Sequence, residues 1–121
     1  MRILLIDDDV FFQKFYATKL SEKGYEVHLA SDGNEGIEKA RTLKPNIILL
    51  DIIMPGKDGF ETLKVLSNDK VTKDIPVLVF STLGQQQDVK KALDLGAKGY
   101  ANKTFFDFDN LVTRIASLTK Q

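Results

Sequence analysis

Cysteine is missing from this chain of 121 residues, which excludes disulfides, thiolate metal centres and thiol nucleophiles. Histidine occurs once, at His28, and a lone imidazole makes a histidine-based metal site a poor reading. Net charge is lacking too. Its 17 basic and 17 acidic residues balance, so no global field draws nucleic acid or an anionic membrane surface. Nor does the chain open on a long apolar run: Ile3-Leu4-Leu5-Ile6 gives way at once to three aspartates. That is too short for a signal peptide or a membrane span, so the expected location is cytoplasmic. No linker, low-complexity stretch or internal repeat divides the chain. A single domain over 1–121 is expected, with no output domain following it.

What is present centres on Asn46-Ile47-Ile48-Leu49-Leu50-Asp51. Four branched apolar residues bounded by turn residues read as a strand buried on both faces, and one carboxylate stands at its end. Two other apolar runs resemble it, Ile3–Ile6 and Pro76–Phe80, while Glu26–Ala30 alternates like a strand with one more exposed face. A shorter one spans Lys98–Ala101. Between them, apolar residues recur at helical spacing, as in Phe11, Phe12, Phe15, Tyr16 and Leu20, or Val89, Ala92, Leu93 and Leu95. Gly24, Lys44-Pro45 and Gly96 stop these helices. Strand and helix therefore alternate through five βα units. This pattern predicts an α/β fold, a (βα)5 flavodoxin-like doubly wound parallel sheet with strand order 2-1-3-4-5. Asn68–Asp74 reads as a polar loop, and the aromatic cluster near residue 11 is expected to be mostly core. Adjacent Phe11 and Phe12 cannot both point inward, so one of them should lie near the acidic residues or on a docking surface. Phe105, Phe106 and Phe108 raise the same question near the last helix.

In that strand order the first and third strands are neighbours, and both end in acid. Asp7, Asp8 and Asp9 close the first strand, Asp51 the third, Ser81 the fourth and Lys103 the fifth. Each alone has an ordinary explanation: helix N-caps for the aspartates and Ser81, solvation for Lys103. Jointly they occupy one edge of one sheet. Two carboxylates ~5 Å apart repel by about 3 kcal/mol at an effective dielectric near 20. Such a pocket takes up protons or a cation, and an all-oxygen donor set suits Mg²⁺, with Mn²⁺ as a surrogate. A carboxylate there can attack phosphorus, and the Lys103 ammonium, the Ser81 hydroxyl and nearby amides can balance the transferred charge. The pattern favours phosphoryl transfer onto Asp51.

Ile3–Asp9, Leu50-Asp-Ile-Ile-Met-Pro-Gly-Lys-Asp-Gly59, Val79–Thr82 and Gly96–Lys103 resemble, in order, the receiver domain of two-component response regulators. The resemblance spans essentially the whole chain. It implies a phosphoacceptor, not an enzyme, with Asp51 modified by a partner histidine kinase or phosphotransfer protein. Asp8 and Asp51 would bind Mg²⁺ directly, Asp7 mainly through water, and the Ile53 carbonyl would be a further ligand. Ser81 and Lys103 would contact the phosphoryl oxygens, and Tyr100 would be the switch aromatic. The surface of the fourth helix, fifth strand and fifth helix would then engage an unknown downstream protein, with no direct role for nucleic acid or membrane.

The chain also departs from the family. Thr104 stands where Pro is usual after the lysine, often in a cis bond, and a non-proline cis bond costs ~2.5–4 kcal/mol, so a trans bond is expected. Thr82 replaces a usual Ala or Gly and should narrow access to the phosphate. Ile53 and Leu83, both apolar, cannot position an attacking water, which predicts slow self-dephosphorylation. Two rivals remain. Asp7-Asp8-Asp9-Val10 also fits the opening of haloacid-dehalogenase-type phosphatases, with Asp7 as nucleophile and Asp9 as general acid. A degenerate receiver that binds partners without phosphorylation is the other.

Overall fold

The computed structural model describes residues 1–53, 58–81, 86–103 and 108–119. Five strands, β1 (Arg2–Ile6), β2 (Glu26–Ala30), β3 (Ile47–Leu50), β4 (Val77–Ser81) and β5 (Gly99–Asn102), alternate with five helices. These are α1 (Val10–Glu22), α2 (Gly33–Leu43), α3 (Gly59–Asn68), α4 (Gln86–Asp94) and α5 (Phe108–Thr119). The strands form one parallel sheet in the order β2-β1-β3-β4-β5, as the sequence pattern predicts.

The unbroken apolar runs of β1, β3 and β4 follow from burial on both faces. Side chains alternate across a strand, so each run feeds two cores. Leu4, Ile6, Ile48, Leu50, Val77 and Val79 pack with Ile37, Ala40, Leu63, Leu66 and Ala92, from α2, α3 and α4. Ile3, Leu5, Ile47, Leu49, Leu78 and Phe80 pack with Tyr16, Leu20, Leu111 and Ile115, from α1 and α5.

Aspartates start three of the helices. Asp9, Asp32 and Asp58 are the N-caps of α1, α2 and α3, each accepting hydrogen bonds from backbone amides in the first turn. Gly24 (φ +92°) and Gly96 (φ +111°) adopt the left-handed backbone that lets the chain leave α1 and α4.

Two expectations need adjusting. Asn68 belongs to α3, and the segment after it is anchored from inside. Buried Thr72 donates its hydroxyl to the Leu66 carbonyl at 2.7 Å. The α1 aromatics are less buried than their spacing implies: Tyr16 is core and Phe12 half-buried, but Phe11 and Phe15 are 73% and 41% exposed. The buried face of α1 is instead Gln13, Tyr16 and Leu20, a stripe that admits one polar side chain.

Candidate phosphoacceptor site

The site lies where β1 and β3 end side by side. Ile6 and Leu50 are register partners, and hydrogen bonding continues one residue past each strand. The Asp51 amide donates to Ile6 O at 2.9 Å and the Asp7 amide to Ala30 O at 3.0 Å. On the far side of β4, the Lys103 amide donates to Ser81 O at 2.9 Å. Three site residues are thereby fixed by extensions of the sheet itself.

The triple aspartate divides its work. Asp7 is fully buried, while Asp8 is exposed and turned to the mouth. Asp9 caps α1, its Oδ1 accepting from the amides of Phe11 (2.9 Å) and Phe12 (3.2 Å). Oxygen atoms of Asp7, Asp8 and Asp51 lie within 4.8 Å of one another, close enough to share one cation. Asp51 is 7% exposed, and its Oδ1 accepts from the Ile53 amide at 3.2 Å. Gly59 is buried against this turn: a Cβ there would stand 2.5 Å from the Asp51 carbonyl oxygen and overlap the Ile52 backbone.

Lys103 reaches over β4 and β3 into the acidic group. Its Nζ pairs with Asp7 Oδ2 and lies 3.4 Å from Asp51 Oδ2. Burial nevertheless raises the Asp7 carboxyl above its ordinary value. Its hydrogen bonds to Lys103 and the Asp9 amide, and the lysine charge, oppose that rise, while Asp51 adds to it. The Tyr16 phenol beneath is pushed up to about 12, by burial first and then by the Asp7 charge.

Ser81 is buried at the end of β4, and half-buried Tyr100 lies on neighbouring β5. Burial raises the Tyr100 phenol, with the charges of Asp88 and Asp51 adding to it and a side-chain hydrogen bond with Ser81 opposing. The α5 residue Arg114 donates to the Tyr100 carbonyl at 2.7 Å, tying helix to strand behind the aromatic. Ile53 keeps its side chain half exposed at the rim. Thr82, Leu83, Thr104, Phe105 and Phe106 lie outside the described residues, as does the Lys103–Thr104 bond.

Of the residues picked out from the sequence, Asp7, Asp8, Asp51 and Lys103 converge, with the Ile53 amide beside them and Ser81 and Tyr100 paired on the adjoining strands. Sequence reading passed over Gln13. This buried side chain donates to Asp7 O, and at 3.2 Å to Ala30 O and Ser31 Oγ, locking the ends of β1 and β2 under α1. Its signal was a polar residue three positions before Tyr16 and seven before Leu20, on the same helical stripe. Phe12 was noticed only as a choice between two rings; its ring centroid is 4.5 Å from Lys103 Nζ.

The family profile described as response regulator receiver domain matches residues 3–116. The chain belongs to that receiver family. It is a receiver of the kind found in two-component systems, and its relatives agree. It is 42% identical over 98% of its length to the chemotaxis protein CheY of Treponema pallidum, covering 83% of that protein. It is 39% identical over 99% of its length to the DNA-binding dual master transcriptional regulator RpaA of Synechocystis, of which this receiver spans 49%, about half. Among solved structures, the receiver domain of the Francisella response regulator 1452 superposes with a TM-score of 0.90 at 31% identity, covering 98% of this chain and 96% of that one. Asp9, the general acid of the phosphatase rival, has its Oδ1 engaged as the cap of α1. No helix among the described residues is long and apolar enough to cross a membrane.

Proposed function

We propose that this receiver is the phosphoacceptor of a two-component or phosphorelay pathway, and that Asp51 takes a phosphoryl group from the phosphohistidine of a kinase or phosphotransfer protein. The observation that carries this is the joining of Asp7, Asp8, Asp51 and the Lys103 ammonium in one recess at the switch point of the sheet. In the transfer a carboxylate oxygen of Asp51 forms a bond to phosphorus as the P–N bond to imidazole breaks. The imidazole leaves with the electron pair and is neutral as it departs protonated on its other nitrogen.

The all-oxygen donor set fits Mg²⁺, or Mn²⁺ in its place, with Asp8 and Asp51 as direct ligands, Asp7 through water and the Ile53 carbonyl completing the protein's share. Bound there, the ion would neutralise charge on the carboxylates and on phosphoryl oxygens. Lys103 would face the phosphoryl oxygens with its ammonium, and Ser81 would donate to them from β4. The Ser81–Tyr100 hydrogen bond supports a switch in which the hydroxyl turns toward the phosphoryl group, Tyr100 follows, and the α4-β5-α5 surface changes for a downstream protein. The protein acts by binding in the cytoplasm, without direct contact with nucleic acid or membrane. Apolar Ile53 at the rim supports slow self-dephosphorylation.

Incubation with Mg²⁺ and phosphoramidate tests this reading. The wild type is expected to gain a base-labile, acid-resistant adduct that Asp51→Asn abolishes. An adduct that survives Asp51→Asn, or turnover that depends on Asp7 instead, would falsify it. A phosphoprotein lifetime of only seconds would remove the slow-hydrolysis component.

A further inference from the structure

Lys103 has an unusual task for a lysine just past the end of an edge strand. Its four-methylene chain, with roughly 2 kcal/mol of rotamer freedom, must hold one ammonium at one point. Two of its contacts, Asp7 Oδ2 and Asp51 Oδ2, are oxygens that a divalent cation or a phosphoryl group would also engage. Those contacts would weaken once the proposed cation and phosphoryl group occupied the site, which is when the ammonium's place would matter most. A third contact has no such competitor. The Phe12 ring stands with its centroid 4.5 Å from Nζ, and the Phe80 ring lies at 5.7 Å.

The Phe12 ring is itself held. It stacks on Tyr16 at 5.7 Å with an interplanar angle of 6°, and Tyr16 meets Phe80 edge-on at 5.0 Å. Tyr16 and Phe80 are buried, so Phe12, at the rim, is the exchangeable end of a braced aromatic wall. The Asp9 cap fixes the helix start from which it projects, through the Phe12 amide.

We infer that Phe12 is a positioning residue for phosphoryl transfer, its ring face holding the Lys103 ammonium over the phosphoacceptor when metal and phosphoryl group have claimed the carboxylates. This rests on the reading of Asp51 as phosphoacceptor but has a readout independent of it. In protein labelled with ¹³C-lysine, the ε-methylene protons of Lys103, assigned by their absence in Lys103→Met, should be shifted upfield by the ring current. The shift should persist in Phe12→Tyr and disappear in Phe12→Leu. With saturating Mg²⁺, Phe12→Leu should raise the half-saturating beryllofluoride concentration about 5- to 20-fold, the worth of a cation–π contact on a desolvated ammonium. Phe12→Tyr should stay near wild type.

In a Lys103→Met background the Leu substitution should have no further effect, since its partner is gone. An unshifted Lys103 methylene in the wild type overturns the inference. So does an equal loss from Phe12→Leu in both backgrounds, which marks Phe12 as packing only. A wild type that forms no adduct on Asp51 would sink the phosphoacceptor reading, while the methylene shift would still decide whether Phe12 holds the ammonium.

Discussion

Arg41 and Asp69 meet on the surface between α2 and the end of α3, with Nη2 2.6 Å and Nε 2.7 Å from one carboxylate oxygen. Lys103 meets Asp7 and Asp51 with no side chain more than 9% exposed. Both are carboxylate–cation contacts, yet the carboxyl groups respond in opposite directions. Asp69 is held below its ordinary value, first by the Val71 amide and then by Arg41. Asp7 is held above its own because burial outweighs the lysine. Water reaches the first pair mainly at Arg41, which is 43% exposed against 14% for Asp69, and screens it in part, and the backbone amide adds to the stabilisation. In the second, solvation has been stripped from three charged groups and only partly replaced. The surface pair serves the fold. The buried group is a strained arrangement, which the cation and phosphoryl group proposed for this site would relieve.

The sharpest way to break this contrast is to remove the buried cation. Lys103→Met leaves Asp7 and Asp51 facing each other without compensation, and should cost about 3–5 kcal/mol of unfolding free energy in metal-free buffer. Mg²⁺ should return much of that loss, because a dication can take over the ammonium's role. Urea melts with EDTA and with Mg²⁺ measure both parts. Equal stability of variant and wild type in EDTA would mean that the carboxylates are already solvated or protonated.

Backbone geometry supports the same recess. Gly59→Ala gains helix propensity of up to about 1 kcal/mol, but its Cβ meets the backbone of Asp51 and Ile52, which no rotamer change can relieve. Net destabilisation of about 1–3 kcal/mol is expected, with weaker cation binding alongside. A variant as stable as wild type would show that the turn after Asp51 yields easily.

Asp7→Asn should act in the other direction. A carboxyl whose folded value is raised favours the protonated native state. Its charged form therefore destabilises the fold above that value, and stability rises as pH falls from there toward the unfolded value of 3.8. Without metal at neutral pH, Asn should add about 1–2 kcal/mol, since it removes one buried charge and leaves Lys103 its contact with Asp51. The variant should also lose the wild type's mild-acid increase in stability and most of its Mg²⁺ response. Melting curves across pH, with and without Mg²⁺, decide it; a destabilised Asn variant at neutral pH would show the Asp7–Lys103 attraction to be dominant.

How much of this was legible in the sequence depended on the range of the forces involved. The unbroken runs of β1, β3 and β4 announce two-sided burial and mark the strand ends, and the βα alternation supplied the expected strand order. Asp7, Asp8, Asp51 and Lys103 follow from that geography. Aspartates close in sequence were harder to separate: nothing in Asp7-Asp8-Asp9 says which is buried, which faces the mouth and which caps α1. That division comes from the angle at which α1 leaves the sheet. For the same reason Asp58-Gly59 reads as a turn, whereas Asp58 caps α3 and Gly59 permits a close backbone approach. The α1 aromatics misled because helical spacing gives two candidate faces, and the inner one was settled by Gln13 answering the carbonyls of Asp7 and Ala30. Phe12 beside Lys103 joins residues 91 positions apart, beyond any local pattern.

The smallest expected effect lies in the surface pair. Asp69 has a depressed folded value, so its contribution is present above the unfolded value of 3.8 and is lost as pH falls through the folded one. Arg41→Ala removes the guanidinium's hydrogen bond and charge, while the Val71 amide, the largest cause of that depression, still donates to Asp69 Oδ1 at 2.8 Å. Its effect on stability should therefore be the smallest in size of the four, should shrink further in high salt, and should leave cation binding at the sheet edge unchanged. Asp69→Ala, which deprives the amide as well, should cost more than Arg41→Ala and keep that excess in salt. Were the two variants equal and equally salt-sensitive, the guanidinium rather than the backbone would be what holds Asp69, and the surface pair would owe its stability to charge alone.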